Sequence, residues 1–203
     1  MREHYFVPTP MVRSRPREVR LWFGSRLFVF ETDRGVFSHG SVDRGTRLLL
    51  EALEVRPEDE ILDVGCGYGV IGLVAAAQAP RGHAVLVDVN ERAVALARRN
   101  ALRNGIHNVE VLQGDLYKPV GSRTFDLIAT NPPIRAGRAV VRALIEGARK
   151  HLKPGGRFYL VARTAQGART LGRLIGEVFG GVVEVERGGG YRVYRAVRED
   201  GRV

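Results

Sequence analysis

Cysteine is almost missing from this 203-residue chain. The one thiol, Cys66, leaves no intramolecular disulfide, and no cysteine cluster is there to hold zinc. The five histidines are scattered without metal-ligand spacing, so no structural or catalytic metal is expected. No apolar run reaches the roughly 18 residues needed to cross a bilayer. The N-terminus, with Arg2, Glu3, His4 and several prolines, lacks the apolar stretch of a signal peptide. A cytoplasmic protein without a membrane partner is therefore expected. Lysine is scarce as well: Lys118, Lys150 and Lys153 are all there are, so the basic excess is carried by arginine.

What is present suits one domain with a full core and perhaps a small appendage. Hydrophobic residues make up 44% and charged residues 27%, which excludes wholesale disorder. The net charge of +10 is unevenly spread: +4 over residues 1–26, −3 over 27–134 and +9 over 135–203. A basic excess confined to both ends suggests a surface facing a polyanion. The competing explanation is the arginine-rich usage of a hot or GC-rich genome.

Along the chain, Val19-Arg20-Leu21-Trp22-Phe23 and Arg26-Leu27-Phe28-Val29-Phe30 flank Gly24-Ser25 as a hairpin would. An amphipathic helix is expected from Asp43 to Glu54, ended by Pro57. A regular alternation follows. Strands are expected at 61–64, 84–88, 109–112, 125–130 and 157–162, with helices over 70–78, 91–104, 137–151 and 165–178 between or after them. Asn90 is placed to cap the second of these helices, and Lys153-Pro154-Gly155-Gly156 to stop the third. Two closing strands near 181–186 and 191–197 flank a glycine triplet, too close together for a parallel crossover. The result is an α/β, Rossmann-like architecture: a mostly parallel sheet with helices on both faces and an antiparallel pair at the end.

Asp63-Val64-Gly65-Cys66-Gly67-Tyr68-Gly69 lies directly between a strand and a helix, where glycines let backbone approach a ligand. Two acids narrow the ligand. Asp63 inside the strand would repel a pyrophosphate and suit an ammonium. Asp88, with Val89 and Asn90 after it, ends the next strand where ribose hydroxyls would sit. A nucleoside with a cationic amino-acid tail, S-adenosylmethionine, fits better than a dinucleotide. Gly114-Asp115-Leu116 follows the third strand, where adenine would lie, with Leu116 and Ile106 as apolar walls. Cys66 within this loop faces the wrong ligand to be a nucleophile.

Asn131-Pro132-Pro133-Ile134 ends the next strand at the same edge of the sheet. An exocyclic amine on a heteroaromatic ring, or on a carboxamide, has a delocalised lone pair and reacts poorly. Two acceptors, the Asn131 side-chain carbonyl and the Pro132 backbone carbonyl, can favour a pyramidal nitrogen. The prolines hold both acceptors in place before substrate arrives.

With these motifs the chain resembles class I methyltransferases that methylate amino groups. More narrowly, it is similar to the RsmC-like small-subunit ribosomal RNA guanine-N2 methyltransferases, especially short archaeal-type members. The likeness extends through Gly35-Val36-Phe37-Ser38, Asp43-Arg44-Gly45-Thr46-Arg47-Leu48-Leu49, the Gly65 to Gly69 loop, Asn131 to Gly137, and Gly189-Gly190-Tyr191-Arg192-Val193. It implies a seven-stranded sheet with a reversed last strand; the expected division of the chain is a β extension over 1–42 and a methyltransferase domain over 43–203. It also implies that Phe37, Asp43 and Thr46 close over or line the cofactor site and that Asn131 to Ile134 hold the target amine; Asn131 is expected to border the cofactor as well. Many relatives carry an aromatic residue after the two prolines, where this chain has Ile134. Arg135, Arg138 and Arg142 are candidates to flank the path of an RNA (ribosomal RNA or a ribosomal subunit), a solvated helix face being the other reading. Protein glutamine methylation, adenine methylation and an inactive RNA-binding assembly module are the alternatives.

Overall fold

The computed structural model describes residues 8–199; Arg2, Glu3 and His4, on which the reading of the N-terminus rests, lie outside them. In chain order the elements are β1 (Arg17–Phe23), β2 (Arg26–Thr32), α1 (Arg44–Ala52), β3 (Glu60–Val64), α2 (Val70–Gln78), β4 (His83–Asp88), α3 (Glu91–Arg103), β5 (Val109–Gln113), β6 (Phe125–Thr130), α4 (Arg138–His151), β7 (Leu152–Arg163), α5 (Ala168–Phe179), β8 (Val183–Gly188) and β9 (Tyr191–Val197).

β3 to β9 form one sheet in the order β5-β4-β3-β6-β7-β9-β8. The β5-β4-β3-β6-β7 run is parallel. β9 alone is reversed, antiparallel to β7 on one side and β8 on the other. The expected seven strands with a reversed last one are thus what folds. Strand alternation sends side chains to two separate cores. On one face Ile61, Leu86 and Leu127 pack with Leu49 of α1, Leu73 of α2 and Leu96 of α3. On the other, Leu62, Val85 and Ile128 pack with Ile145 of α4 and Ile175 of α5.

The hairpin β1–β2 is its own two-stranded sheet, yet its inner residues Val19, Leu21, Phe28 and Phe30 belong to the first of these cores. It is anchored to α3 through buried Asn100, whose side chain exchanges hydrogen bonds with the Glu31 backbone at 2.7 and 2.9 Å.

Several boundaries differ from expectation; β8, for one, runs from Val183 to Gly188 instead of near 181–186. α1 stops at Ala52, with Leu53 already extended, four residues before Pro57. α4 gives way to β7 at Leu152, and Lys153-Pro154-Gly155-Gly156 is part of that strand, beside a bulge in its pairing with β6. Residues 164–166 form a 3₁₀ turn; Gly167, at φ +87°, separates it from α5.

Candidate active site

The carboxyl ends of β3, β4, β5 and β6 open into a cavity of about 270 Å³. The loop after β3 forms its floor. Gly65 and Gly67 have φ of +75° and +56°, conformations that L side chains rarely adopt. This turns their amides inward: Gly65 N and Cys66 N donate to Val87 O at 2.8 and 3.0 Å, and Gly67 N donates to Asp88 Oδ2 at 2.8 Å. The other Asp88 oxygen accepts from Asn90 N at 2.9 Å, and burial raises the Asp88 pKa. The expected residues Phe37, Thr46, Gly65, Cys66, Gly67, Tyr68, Asp88, Val89, Gly114, Asp115, Leu116 and Asn131 all line this cavity.

Its walls are mostly apolar. Tyr68 is buried and meets the Phe30 ring edge-on at 5.9 Å, which ties the hairpin core to the cavity wall. Leu116 is held at φ +51°. Asp115 is half committed elsewhere, its Oδ2 taking the Lys118 ammonium at 2.8 Å. Burial pushes the Cys66 thiol well up, so it is not a thiolate nucleophile at neutral pH.

Four expected residues stand off this wall. Asp63 points to the α2 side of the sheet, because its strand neighbours Leu62 and Val64 take the other face. Its Oδ2 accepts from Gly72 N at 2.8 Å, fully buried, while Oδ1 has no protein partner. Burial raises its pKa to about 7. Gly69 serves as the left-handed N-cap of α2. Asn90 caps α3 and donates to Gly35 O at 2.8 Å, fixing the segment that leads to Phe37. Ile106 is buried in the core.

A second cavity, of about 250 Å³, adjoins the first and shares Phe37, Asp43 and Asn131 with it. Pro132, Ile134, Arg135, Ala162, Arg163, Gln166 and Tyr191 complete its lining. Pro133 has φ −75° and ψ 78°, an inverse γ-turn closed by Ile134 N donating to Pro132 O at 2.9 Å. One lone pair of the Pro132 carbonyl is thereby used. Asn131 Nδ2 donates to Asp43 Oδ2 and Thr46 Oγ1, each at 3.1 Å.

Of the three flagged arginines, Arg135 lines the second cavity. Arg138 and Arg142 lie exposed on α4, and Arg142 pairs with Glu146 one turn on at 3.3 Å, as on a solvated helix face. Residues missed from sequence include Arg163, Gln166 and Tyr191 in the second cavity, and Val36, Ser38, Val140 and Leu144 in the first. Tyr191, Val36 and Ser38 had a signal, lying in the stretches 189–193 and 35–38; the others had none.

Comparisons with known proteins identify the family and the fold. The family model described as methyltransferase small domain matches residues 28–195. Over 199 residues the chain is 44% identical to uncharacterized protein YbxB of Bacillus subtilis, covering 97% of this chain and 98% of that one. It is 39% identical to ribosomal RNA small subunit methyltransferase C of Pseudomonas fluorescens, covering 81% of this chain and 49% of the relative. A solved structure of the T. thermophilus 16S rRNA N2 methyltransferase RsmC, in complex with AdoMet and guanosine, superposes with a TM-score of 0.81 at 29% identity. That match covers 94% of this chain and 52% of the other. The chain thus spans about half the length of the ribosomal RNA methyltransferases it matches.

Proposed function

Since the chain belongs to the methyltransferase small domain family, we propose that it moves the methyl group of S-adenosylmethionine to an exocyclic amino nitrogen, guanine N2 in small-subunit ribosomal RNA. When bound, that donor supplies an electrophilic methyl on a sulfonium. The residues of the first cavity fit it. Asp88 at the end of β4 offers acceptors to ribose hydroxyls, and the walls around Leu116 and Leu144 are apolar. The donor's residues on this reading are Phe37, Thr46, the Gly65 to Tyr68 loop, Asp88, Val89, and Gly114 to Leu116.

The observation that carries the reading is that Asn131 lines both cavities. A group held in the second and a donor held in the first would meet at its side chain. Asn131 Oδ1 and the remaining lone pair on the Pro132 carbonyl accept the two amine protons, which frees the nitrogen lone pair. No strong base is needed beforehand, because the amine becomes acidic only as its new bond forms. Much of the acceleration then comes from alignment. Ile134 packs against the core and offers an aliphatic surface to a base face. A paired guanine has to be extruded, or presented unpaired, to reach this position. The guanine assignment is supported by the guanosine found with the T. thermophilus relative, and the RNA assignment by the basic chain ends and by Arg135 at the second cavity. Such a substrate implies a cytoplasmic enzyme.

The test is incubation of purified protein with methyl-labelled donor and, separately, unmodified small ribosomal subunits, naked ribosomal RNA, transfer RNA and a release factor. Nucleoside mass spectrometry should find N2-methylguanosine in small-subunit RNA. Label on protein alone would overturn the RNA assignment, and donor binding without transfer would favour an assembly module.

A further inference from the structure

We propose that Asp43 is the positioning residue for Asn131, holding its carboxamide so that the nitrogen is turned away and the oxygen is left for the substrate amine. This rests on the reading of Asn131 as an acceptor. The same side chain written the other way round would be useless, since an NH₂ group aimed at an amine offers it protons instead of a lone pair.

The orientation follows from the partners. A carboxylate only accepts. Asn131 must therefore present its NH₂ to Asp43 Oδ2 at 3.1 Å; a flipped amide would set oxygen against oxygen there with no proton between. Thr46 Oγ1 takes the other N–H at 3.1 Å. Asp43 is itself held from several sides. Oδ2 also accepts from Thr46 N at 3.1 Å, making Asp43 the N-cap of α1. Oδ1 accepts from the Tyr191 hydroxyl at 2.9 Å. That hydroxyl accepts in turn from Arg163 Nε at 2.7 Å, and the guanidinium lies over the tyrosine ring, 5.1 Å from its centroid.

The polarity of the whole chain is set by its ends. Arginine can only donate and a carboxylate can only accept, so the tyrosine proton goes to Asp43 and none of these groups can turn round alone. Gly45 permits the approach, since a Cβ there would stand 2.6 Å from the Tyr191 ring. Three separated segments thus converge on one amide: the turn before α1, the end of β6, and the β7–β9 pair in which Arg163 lies opposite Tyr191.

A charge exchange tests this. Asn131→Asp places two carboxylates side by side, and kcat should fall at least about 100-fold while donor affinity stays within a few-fold. Adding Asp43→Asn restores a donor facing an acceptor at position 131. Its NH₂ no longer accepts from Thr46 N, so kcat is compared per folded molecule, with folding checked by denaturant unfolding. The double variant should recover at least about tenfold in kcat over Asn131→Asp alone, a coupling that independent sites do not show. A double variant no better than Asn131→Asp would overturn the proposal. A second measurement needs no RNA, so it stands or falls separately from the guanine assignment. The side-chain amide protons of Asn131, followed by NMR, should exchange more slowly than those of an exposed asparagine. Asp43→Ser, which keeps a capping hydroxyl but is too short to reach Asn131, should abolish that protection. Equal exchange in the parent protein and Asp43→Ser would overturn the proposal whatever the acceptor is.

Discussion

The two ends of the central strands each carry an aspartate-centred polar assembly, and they are built to opposite specifications. At the amino end, Arg157 Nη2 reaches both oxygens of Asp59 at 2.6 Å and Nη1 donates to Glu54 O at 2.6 Å. The two side chains are 5% and 4% exposed, and Arg56 N adds a further bond to Asp59 at 2.7 Å. At the carboxyl end, Asp43 and Asn131 border two cavities. The first assembly spends its hydrogen bonds on the protein and closes the bottom of the sheet. The second spends most of them on orienting one amide and leaves that amide's oxygen over. On the proposed function, position along the strands separates stability from chemistry.

The sharpest way to break this contrast is Asn131→Ala. Turnover should fall by about 10²–10³-fold or more, the loss typical of a transition-state hydrogen-bonding group, with donor affinity by calorimetry changed only a few-fold. An equal loss of donor binding would make Asn131 a cofactor residue instead. Arg157→Ala is the reciprocal probe. It strands Asp59 without its cation and should cost about 3–5 kcal/mol in denaturant unfolding, while kcat per folded molecule stays unchanged. A drop in kcat at full folding would mean the two ends are coupled.

An effect spread over about three pH units is expected from Asp63, which sits between them. Its carboxyl is held protonated up to about pH 7, chiefly by burial, against 3.8 in the unfolded chain. The unfolded state gives up the proton first, so this group's contribution favours folding below pH 4 and is lost as pH rises toward 7. Asp63→Asn should flatten that fall, which for one proton cannot exceed about 1.4 kcal/mol per pH unit. Identical unfolding profiles from pH 4 to 8 would show that Asp63 is not buried as a neutral acid. Least in size is the effect of Arg135→Ala at the second cavity: RNA affinity should weaken modestly, and the log–log salt slope should drop by about one contact. A salt response that is flat in the parent protein would discredit the basic surface altogether.

Much of this was legible beforehand because it is written in short stretches of chain. The Val70–Gln78 helix and the Phe125–Thr130 strand have the expected limits, since Gly69 and Pro80 bound the one and the Asn-Pro-Pro turn ends the other. The loop from Gly65, the acid at the end of β4 and Asn131 fell at one sheet edge because parallel strands alternating with helices put all their carboxyl ends together. Less legible was which way a side chain faces. The place of Asp63 before the glycine loop suggests a ligand contact, but the alternation of β3 turns it under α2. Asn90 follows the acid that ends β4, yet its side chain is consumed in capping α3 and tethering Gly35.

Local sequence by itself determined the alternation of elements, the glycine loop and the amide after β6, all of which depend on contacts between near neighbours in the chain. Only the tertiary structure decided that Asp43, Arg163 and Tyr191 gather round that amide. Tyr191 lies 148 residues from Asp43, and they meet because β9 inserts between β7 and β8 in reverse. A strand's place and direction within a sheet are set by global packing, which no short segment encodes.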